Sequence, residues 1–285
     1  MPPRPKPAAP AASGRAKRPL RIATWNINSV RLRRPLLAEL VKALDPDVLC
    51  LQETKCPDEL FPLDDIRAFG FPHIAHRGMK GYNGVAVLSR LPFVPRDGDP
   101  DWCGKGDCRH IAVELDAPGG PLELHDFYVP AGGDTPDRVA NPKFAHKLDF
   151  VAEAAAWSAA RGAKPRSVLV GDLNIAPLEN DVWSHRQMLD VVSHTPVEVE
   201  ALTGWMRAGG WHDALRHFVP PEEKLYTWWS YRARDWEASD RGRRLDHLWV
   251  SPDLAGALTR HAVLKPARGW PQASDHVPVM IELSL

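Results

Sequence analysis

Ser167-Val168-Leu169-Val170-Gly171-Asp172-Leu173-Asn174 is the stretch from which the rest of the chain can be read. An apolar, partly β-branched run ends in a carboxylate and a carboxamide two residues apart, the composition of a buried strand that delivers polar groups at its end. In extended chain, side chains at i and i+2 lie on one side. Asp172 and Asn174 are therefore expected to face one point as continuations of the strand. An anionic oxygen beside a neutral amide suits a hard cation, a water awaiting deprotonation or a phosphate oxygen.

Other strand-like runs end the same way. Leu20 to Asn28 alternates and closes on Asn26-Ile27-Asn28, and Asp47 to Glu53 closes on a carboxylate. Leu122 to Val129 closes on Tyr128, Asp246 lies in the run Leu245 to Val250, and Ser274-Asp275-His276 precedes a last strand, Val277 to Leu283. His73–His76, Gly84–Ser89 and Arg109–Leu115 read as further strands with Gly, Pro or Asp turns between them. Helical periodicity marks Pro35–Leu44, with Pro35 in the first turn, and Pro142–Arg161. Shorter helices are expected at Asp58–Phe69, Asp181–Leu189 and Glu198–Ala208. Asp126 and Asp253 read as ordinary surface or turn acids, and His247 as a half-buried or surface residue. The pattern is α/β, with two face-to-face mixed sheets and helices outside.

Composition sets the class. The 285 residues are 44% hydrophobic and 25% charged, which is globular, and the net charge is zero. Residues 1–19 are rich in Pro and Ala and carry Arg4, Lys6, Arg15, Lys17 and Arg18 without an acid, leaving the remainder about five units negative. They read as a disordered basic tail ahead of one catalytic domain, residues 20–285. No apolar run spans a bilayer and no signal peptide is evident, so a cytoplasmic monomer without membrane contact is expected. Cys50, Cys56, Cys103 and Cys108 lack the spacing of a zinc site. No P-loop, H-E-x-x-H or G-x-S-x-G occurs, which argues against nucleotide triphosphatase, zinc peptidase and serine hydrolase chemistry. The acids and amides at strand ends instead supply what phosphodiester hydrolysis needs: a base, oxygen ligands for Mg²⁺ or Mn²⁺, and donors for developing charge.

Six motifs in order carry a family resemblance: Trp25-Asn26-Ile27-Asn28, Leu51-Gln52-Glu53-Thr54-Lys55, Tyr128-Val129-Pro130, Gly171-Asp172-Leu173-Asn174, Arg244-Leu245-Asp246 and Ser274-Asp275-His276. Over residues 20–285 the chain resembles the exonuclease III family of apurinic/apyrimidinic endonucleases, within the endonuclease/exonuclease/phosphatase superfamily. The resemblance implies a four-layer α-β-β-α sandwich (DNase I-like) with the site at one edge. It also implies Mg²⁺, with Mn²⁺ as an alternative, and double-stranded DNA with abasic sites or 3′ ends as partner. The implied activities are cleavage 5′ to abasic sites, 3′→5′ exonuclease action on duplex DNA and 3′-end cleaning. Glu53 is implied as a metal ligand, with Asn26, Asp172, Asn174, Asp275 and His276 lining or ligating the centre. Asp172 would activate water, Asn174 stabilise the transition state, His276 contact the phosphate with support from Asp246, and Tyr128 lie against phosphate or leaving group. Asn28 and Trp228 are implied DNA contacts, with Trp228 at the pocket and Trp229 behind it.

Two departures stand out. Ala131-Gly132-Gly133-Asp134 replaces a phosphate-binding amide, and Arg243 stands where relatives tend to carry an apolar pocket residue, with a backbone phosphate as its candidate partner. Lys55, Lys80, Arg90, Lys143 and Lys147 are further candidates for phosphate contact. The alternatives are a superfamily phosphodiesterase acting on another phosphoester, such as a lipid or inositol phosphate, and a catalytically silent DNA-binding protein.

Overall fold

The computed structural model describes residues 18–96, 100–162 and 164–285. Its strands are β1 (Leu20–Asn26), β2 (Val48–Gln52), β3 (His73–Arg77), β4 (Val85–Ser89), β5 (Phe93–Pro95), β6 (His110–Leu115) and β7 (Leu122–Tyr128). They continue with β8 (Ser167–Asp172), β9 (His212–Asp213), β10 (Trp228–Trp229), β11 (Gly242–Arg243), β12 (Asp246–Val250), β13 (Leu258–Val263) and β14 (Val279–Leu283). The helices are α1 (Val30–Leu44), α2 (Leu63–Ala68), α3 (Pro142–Arg161), α4 (His185–Met188), α5 (Pro196–Ala208) and α6 (Trp236–Ser239).

Two six-stranded sheets form, in the orders β13-β14-β1-β2-β4-β3 and β5-β6-β7-β8-β12-β9, with β10 and β11 as a separate ribbon. Each sheet holds one parallel pair, β1 with β2 and β7 with β8, and the crossovers are α1 and α3. All other pairings are antiparallel, so both sheets are mixed.

Alternation sorts the side chains into layers. Ile22, Val48, Cys50, Val87 and Ile281 meet Val113, Leu124, Val170 and Leu248 between the sheets. The opposite faces carry Trp25, Leu49 and Leu51 against Leu37 and Leu40 of α1, and Phe127, Leu169 and Trp249 against Phe150 of α3 and Trp205 of α5. Each such fully buried side chain contributes about 1.5–3 kcal/mol. The result is the expected four-layer sandwich.

Several local expectations are corrected. Helix α1 starts at Val30, not Pro35, because Ser29 N and Val30 N donate to Glu53 O and Thr54 O, so its first turn is satisfied by the β2 loop. Asp181–Leu189 is not one helix. Asp181 is drawn into the interior by Arg244 and Arg216, which leaves a 3₁₀ turn and the short α4. Asp126 is neither surface nor turn. It sits wholly buried on the inner face of β7, accepts from Gln52 Nε2 at 2.6 Å, and burial pushes its carboxyl well up. His247 is likewise fully buried, donating to Ile175 O at 2.8 Å. Most of the tail lies outside the described residues. At its end Arg18 is fixed, pairing with Asp45 at 2.5 Å and Asp47 at 3.1 Å. None of the described helices is long and apolar enough to cross a membrane.

Candidate active site

Two strand ends make the same turn at one edge of the sandwich. Asn28 N donates to Asn26 Oδ1 at 3.1 Å, and Asn174 N donates to Asp172 Oδ1 at 3.0 Å. These are Asx turns, in which a side chain captures the backbone two residues on. Asn28 and Asn174 consequently take left-handed backbone, with φ of 49° and 54°, a conformation asparagine tolerates. Asp172 and Asn174 are thus brought together by a turn and not by strand alternation, since β8 stops at Asp172. The residues between them, Ile27 and Leu173, are fully buried in the two outer layers and pin each turn.

The turns meet through Asn26. Its Nδ2 donates to Asp172 Oδ2 at 2.8 Å and to Glu53 Oε1 at 2.9 Å, so one amide bridges two carboxylates. Glu53 itself has φ 52°, a strained value for this residue that the Ser29-to-Glu53 and Thr54-to-Gly84 backbone bonds impose. Asn174 Nδ2 donates to Asp172 Oδ2 at 3.1 Å and to Val129 O at 2.9 Å. Strand β12 delivers Asp246 directly opposite Asp172 in register. Asp246 Oδ2 lies 2.8 Å from His276 Nδ1, and the far ring nitrogen, Nε2, lies 3.6 Å from Asp172 Oδ2. The His276 loop is tied down by Ser274 Oγ donating to Asn26 O and by Trp25 Nε1 donating to His276 O.

Charge follows burial. Asp172, Asp246 and His276 are all buried. Burial, reinforced by Asp246 and Glu53, pushes the Asp172 carboxyl up from its ordinary value. Burial would lower the His276 imidazole, but the carboxylates of Asp246 and Asp172 outweigh it and hold the ring in its charged form. Burial would also raise Glu53 and Asp275. Lys55 and Asn26 hold Glu53 down instead, and His276, Trp228 and Asn28 do the same for Asp275.

Four carboxylates, Glu53, Asp172, Asp246 and Asp275, are gathered here with His276 and with Lys55, 2.7 Å from Glu53. Asp246 Oδ1 is buried without a hydrogen-bond partner. Atoms of Asp172, Asp246 and His276 lie within 4.8 Å of one another. An oxygen-rich set with surplus negative charge and an unsatisfied acceptor fits a hard divalent cation. Asp275 stands a step aside, its oxygens accepting from Asn28 Nδ2 at 3.1 Å and Trp228 Nε1 at 2.9 Å. Tyr128 is buried, and burial together with the nearby charges of Glu53 and Asp172 pushes its hydroxyl well up.

A cavity of about 710 Å³ opens beside the centre, reaching Glu53, Asn174, Asp275 and His276 on one side and Trp228, Arg243 and Leu245 on the other. Trp229 packs behind it, buried against Tyr226 and Val277. Ala131, Gly133 and Asp134 form part of the rim. Asn28 is bound to Asp275 and accepts from Lys55 Nζ at 2.6 Å. Lys147 is not a surface cation. It is fully buried, 2.5 Å from Glu198 and donating to Asn174 O at 2.8 Å, because the Asn174 turn needs an internal donor for its carbonyl. Arg243, half-buried in the cavity wall, donates to Val192 O and Ser193 Oγ. Sequence reasoning missed Arg33 and Tyr231, which join each other at 2.8 Å and brace Asn28 and Ala273. The aromatic run Tyr226-Thr227-Trp228-Trp229-Ser230-Tyr231 is the one feature of the sequence that points to them.

A two-sheet sandwich whose edge presents a buried carboxylate, a bridging amide and a carboxylate-held imidazole around an oxygen-rich point has the make-up of a phosphoester hydrolase site that can take a metal ion. The chain belongs to the Endonuclease/Exonuclease/phosphatase family, which matches residues 23–276, and within it to the exonuclease III group of phosphodiester hydrolases. It is 28% identical over 274 residues to exodeoxyribonuclease III of Haemophilus influenzae, covering 92% of this chain and 99% of that one. The solved AP endonuclease of Archaeoglobus fulgidus superposes with a TM-score of 0.84 at 28% identity, over 93% of this chain and all of that one. A 3′ phosphatase from Neisseria, NExo, solved bound to a product DNA hairpin, superposes at 0.81 with 32% identity, over 93% and 99% of the two chains.

Proposed function

We propose that this nuclease is a Mg²⁺-dependent DNA-repair phosphodiesterase. It acts as a cytoplasmic monomer on duplex DNA, cutting 5′ to abasic sites, degrading 3′ ends and clearing 3′-blocking phosphates. The observation that carries this reading is the convergence on Asp172 Oδ2 of Asn26, Asn174 and His276, at 2.8, 3.1 and 3.6 Å, beside a cavity lined by Trp228.

Each group has one task. Asp172 takes the proton of the attacking water, the two amides having fixed which oxygen faces the substrate. Asn174 Nδ2 turns from Asp172 to the equatorial phosphate oxygens as charge builds there. His276, charged and oriented by Asp246, donates from Nε2 to the phosphate. The Tyr128 hydroxyl, set against Glu53, faces the phosphate or the departing oxygen. Glu53 with Asn26, and Asp172 and Asp275 beside them, would hold Mg²⁺, with Mn²⁺ able to substitute. Such an ion would supply positive charge against the phosphate and Lewis acidity for hydrolysis. Asn28 and Trp228 flank the centre where the DNA backbone and the displaced nucleotide lie.

The test is one assay on three duplexes, with an abasic site, a recessed intact 3′ end and a 3′-phosphate. Cleavage that needs Mg²⁺ and stops with EDTA is expected. Undiminished turnover in EDTA, or turnover of a phospholipid head group in preference to all three, overturns the reading.

A further inference from the structure

Arg243 and Arg244 are adjacent and oppositely treated. Arg244 is buried and neutralised, with Nε and Nη2 on the two Asp181 oxygens at 2.8 and 2.9 Å and Nη1 on Asp213 at 2.7 Å. Arg243 forms no ion pair among the described residues. Its Nη1 is satisfied by Val192 O at 3.1 Å and Ser193 Oγ at 2.9 Å, and its Nε is buried with no hydrogen-bond partner. Glu198, whose field reaches Arg243, is already engaged by Lys147, Ser193 N and Thr195. A half-buried guanidinium without a counter-charge is unfavourable unless an anion arrives.

Where that cation sits gives it meaning. Its guanidinium carbon stands 4.9 Å from the ring centre of Trp228, and Arg241 stands 4.5 Å from that of Trp183, so two walls of the cavity are cations braced on indoles. Arg232 adds a third positive group to the lining. The same cavity is bounded by Asn174 and His276, so the outer oxygens of a terminal phosphate that reacts beside those two residues would face into it. A neutral abasic sugar offers a guanidinium little. A terminal phosphate carries a further negative charge at neutral pH and accepts in the plane of the guanidinium fork.

Resting on the function proposed above, we infer that Arg243, braced on Trp228, makes this cavity a subsite for the extra charge of a 3′-terminal phosphate. The enzyme is thereby biased towards 3′-phosphate removal over abasic-site incision. In that reaction the water oxygen joins phosphorus, the bond from phosphorus to the 3′ oxygen breaks, and the products are a 3′-hydroxyl and inorganic phosphate.

The experiment measures kcat/KM for Arg243→Leu and Arg243→Lys on a 3′-phosphate duplex and on an abasic duplex, with Mg²⁺. Arg243→Leu is expected to lower the ratio of phosphate removal to incision by about tenfold or more, and Arg243→Lys, which restores the charge without the planar fork, to recover only part of it. Arg243→Gln, which keeps an amide donor but loses the charge and the guanidinium fork, replaces the leucine variant if that one does not fold, with the same expectation. A ratio within about twofold of wild type in a folded, uncharged variant overturns the assignment. Wild-type protein inert on both duplexes overturns instead the functional reading beneath it.

Discussion

Asn26-Ile27-Asn28 and Asp172-Leu173-Asn174 are the same device built twice. Each is a strand end closed by an Asx turn, with a buried apolar residue in the middle and a left-handed asparagine at the close. They differ at the first residue and at the one before it. The first turn begins with an amide and the second with a carboxylate. Because the amide donates where the carboxylate accepts, the two turns bond to each other at 2.8 Å instead of repelling. The pair teaches that one turn supplies a buried carboxylate oxygen and the other holds it without adding charge.

The sharpest way to break the comparison is to make the turns identical. Asp172→Asn keeps the Asx bond to Asn174 N and removes the proton acceptor. A loss of about three or more orders of magnitude in kcat is expected, with melting close to wild type, measured on the abasic duplex. The converse change, Asn26→Asp, removes a donor shared by Glu53 and Asp172 and adds a fifth carboxylate to the four gathered there. About a hundredfold loss of activity is expected, partly recovered by raising Mg²⁺, with about 2–4 kcal/mol lost in urea melts without metal. An Asn26→Asp protein as active as wild type at low Mg²⁺ would show that the amide is not needed to separate the carboxylates.

The preceding residues differ for steric reasons. Trp25 fills the outer layer in the first turn, but at Gly171 a Cβ would stand 1.9 Å from Phe127 O, and φ there is 139°. Gly171→Ala is expected to destabilise the protein by about 3 kcal/mol or to prevent folding, checked by chemical denaturation, whereas Trp25→Phe should be milder.

The smallest expected effect separates the two sheets. The outer face around β1 and β2 is apolar, while β7 and β12 carry His125 and His247 in the second sheet. Burial holds both imidazoles down at about 4, against the bonds they donate to Glu123 and Ile175, which favour the charged ring. The unfolded chain therefore binds more protons, and stability falls as pH drops from the ordinary histidine value towards about 4. Between about pH 7 and about pH 5 each histidine should remove about 2 kcal/mol. His125→Phe should flatten that slope in urea melts, and an unchanged slope would remove His125 as a source.

The outer layers and α3 were legible because alternation and periodicity report burial directly, and Asn141 and Pro142 mark the helix start. Asp126 could have been read as buried from its place in the run Leu122 to Val129, since it shares a face with Leu124 and Tyr128. Strand β13 escaped notice because Thr259 and Arg260 of this edge strand are exposed and blunt the pattern. Lys147 and Asp181 carry charge into the interior, and hydropathy has no means of reporting a partner distant in sequence.

The sequence by itself determined the chemistry of the site: carboxylates, amides and an imidazole at strand ends, in an order that identifies the family. Only the tertiary structure decided which atoms meet. Asn26 reaches Asp172 across 146 positions and His276 reaches Asp246 across 30, and such pairings follow from sheet register and packing rather than local spacing. The same holds for Arg243 and Arg244. Their side chains are chemically alike, and one became structural and the other lacks a carboxylate partner among the described residues because Asp181 and Asp213 were folded against Arg244.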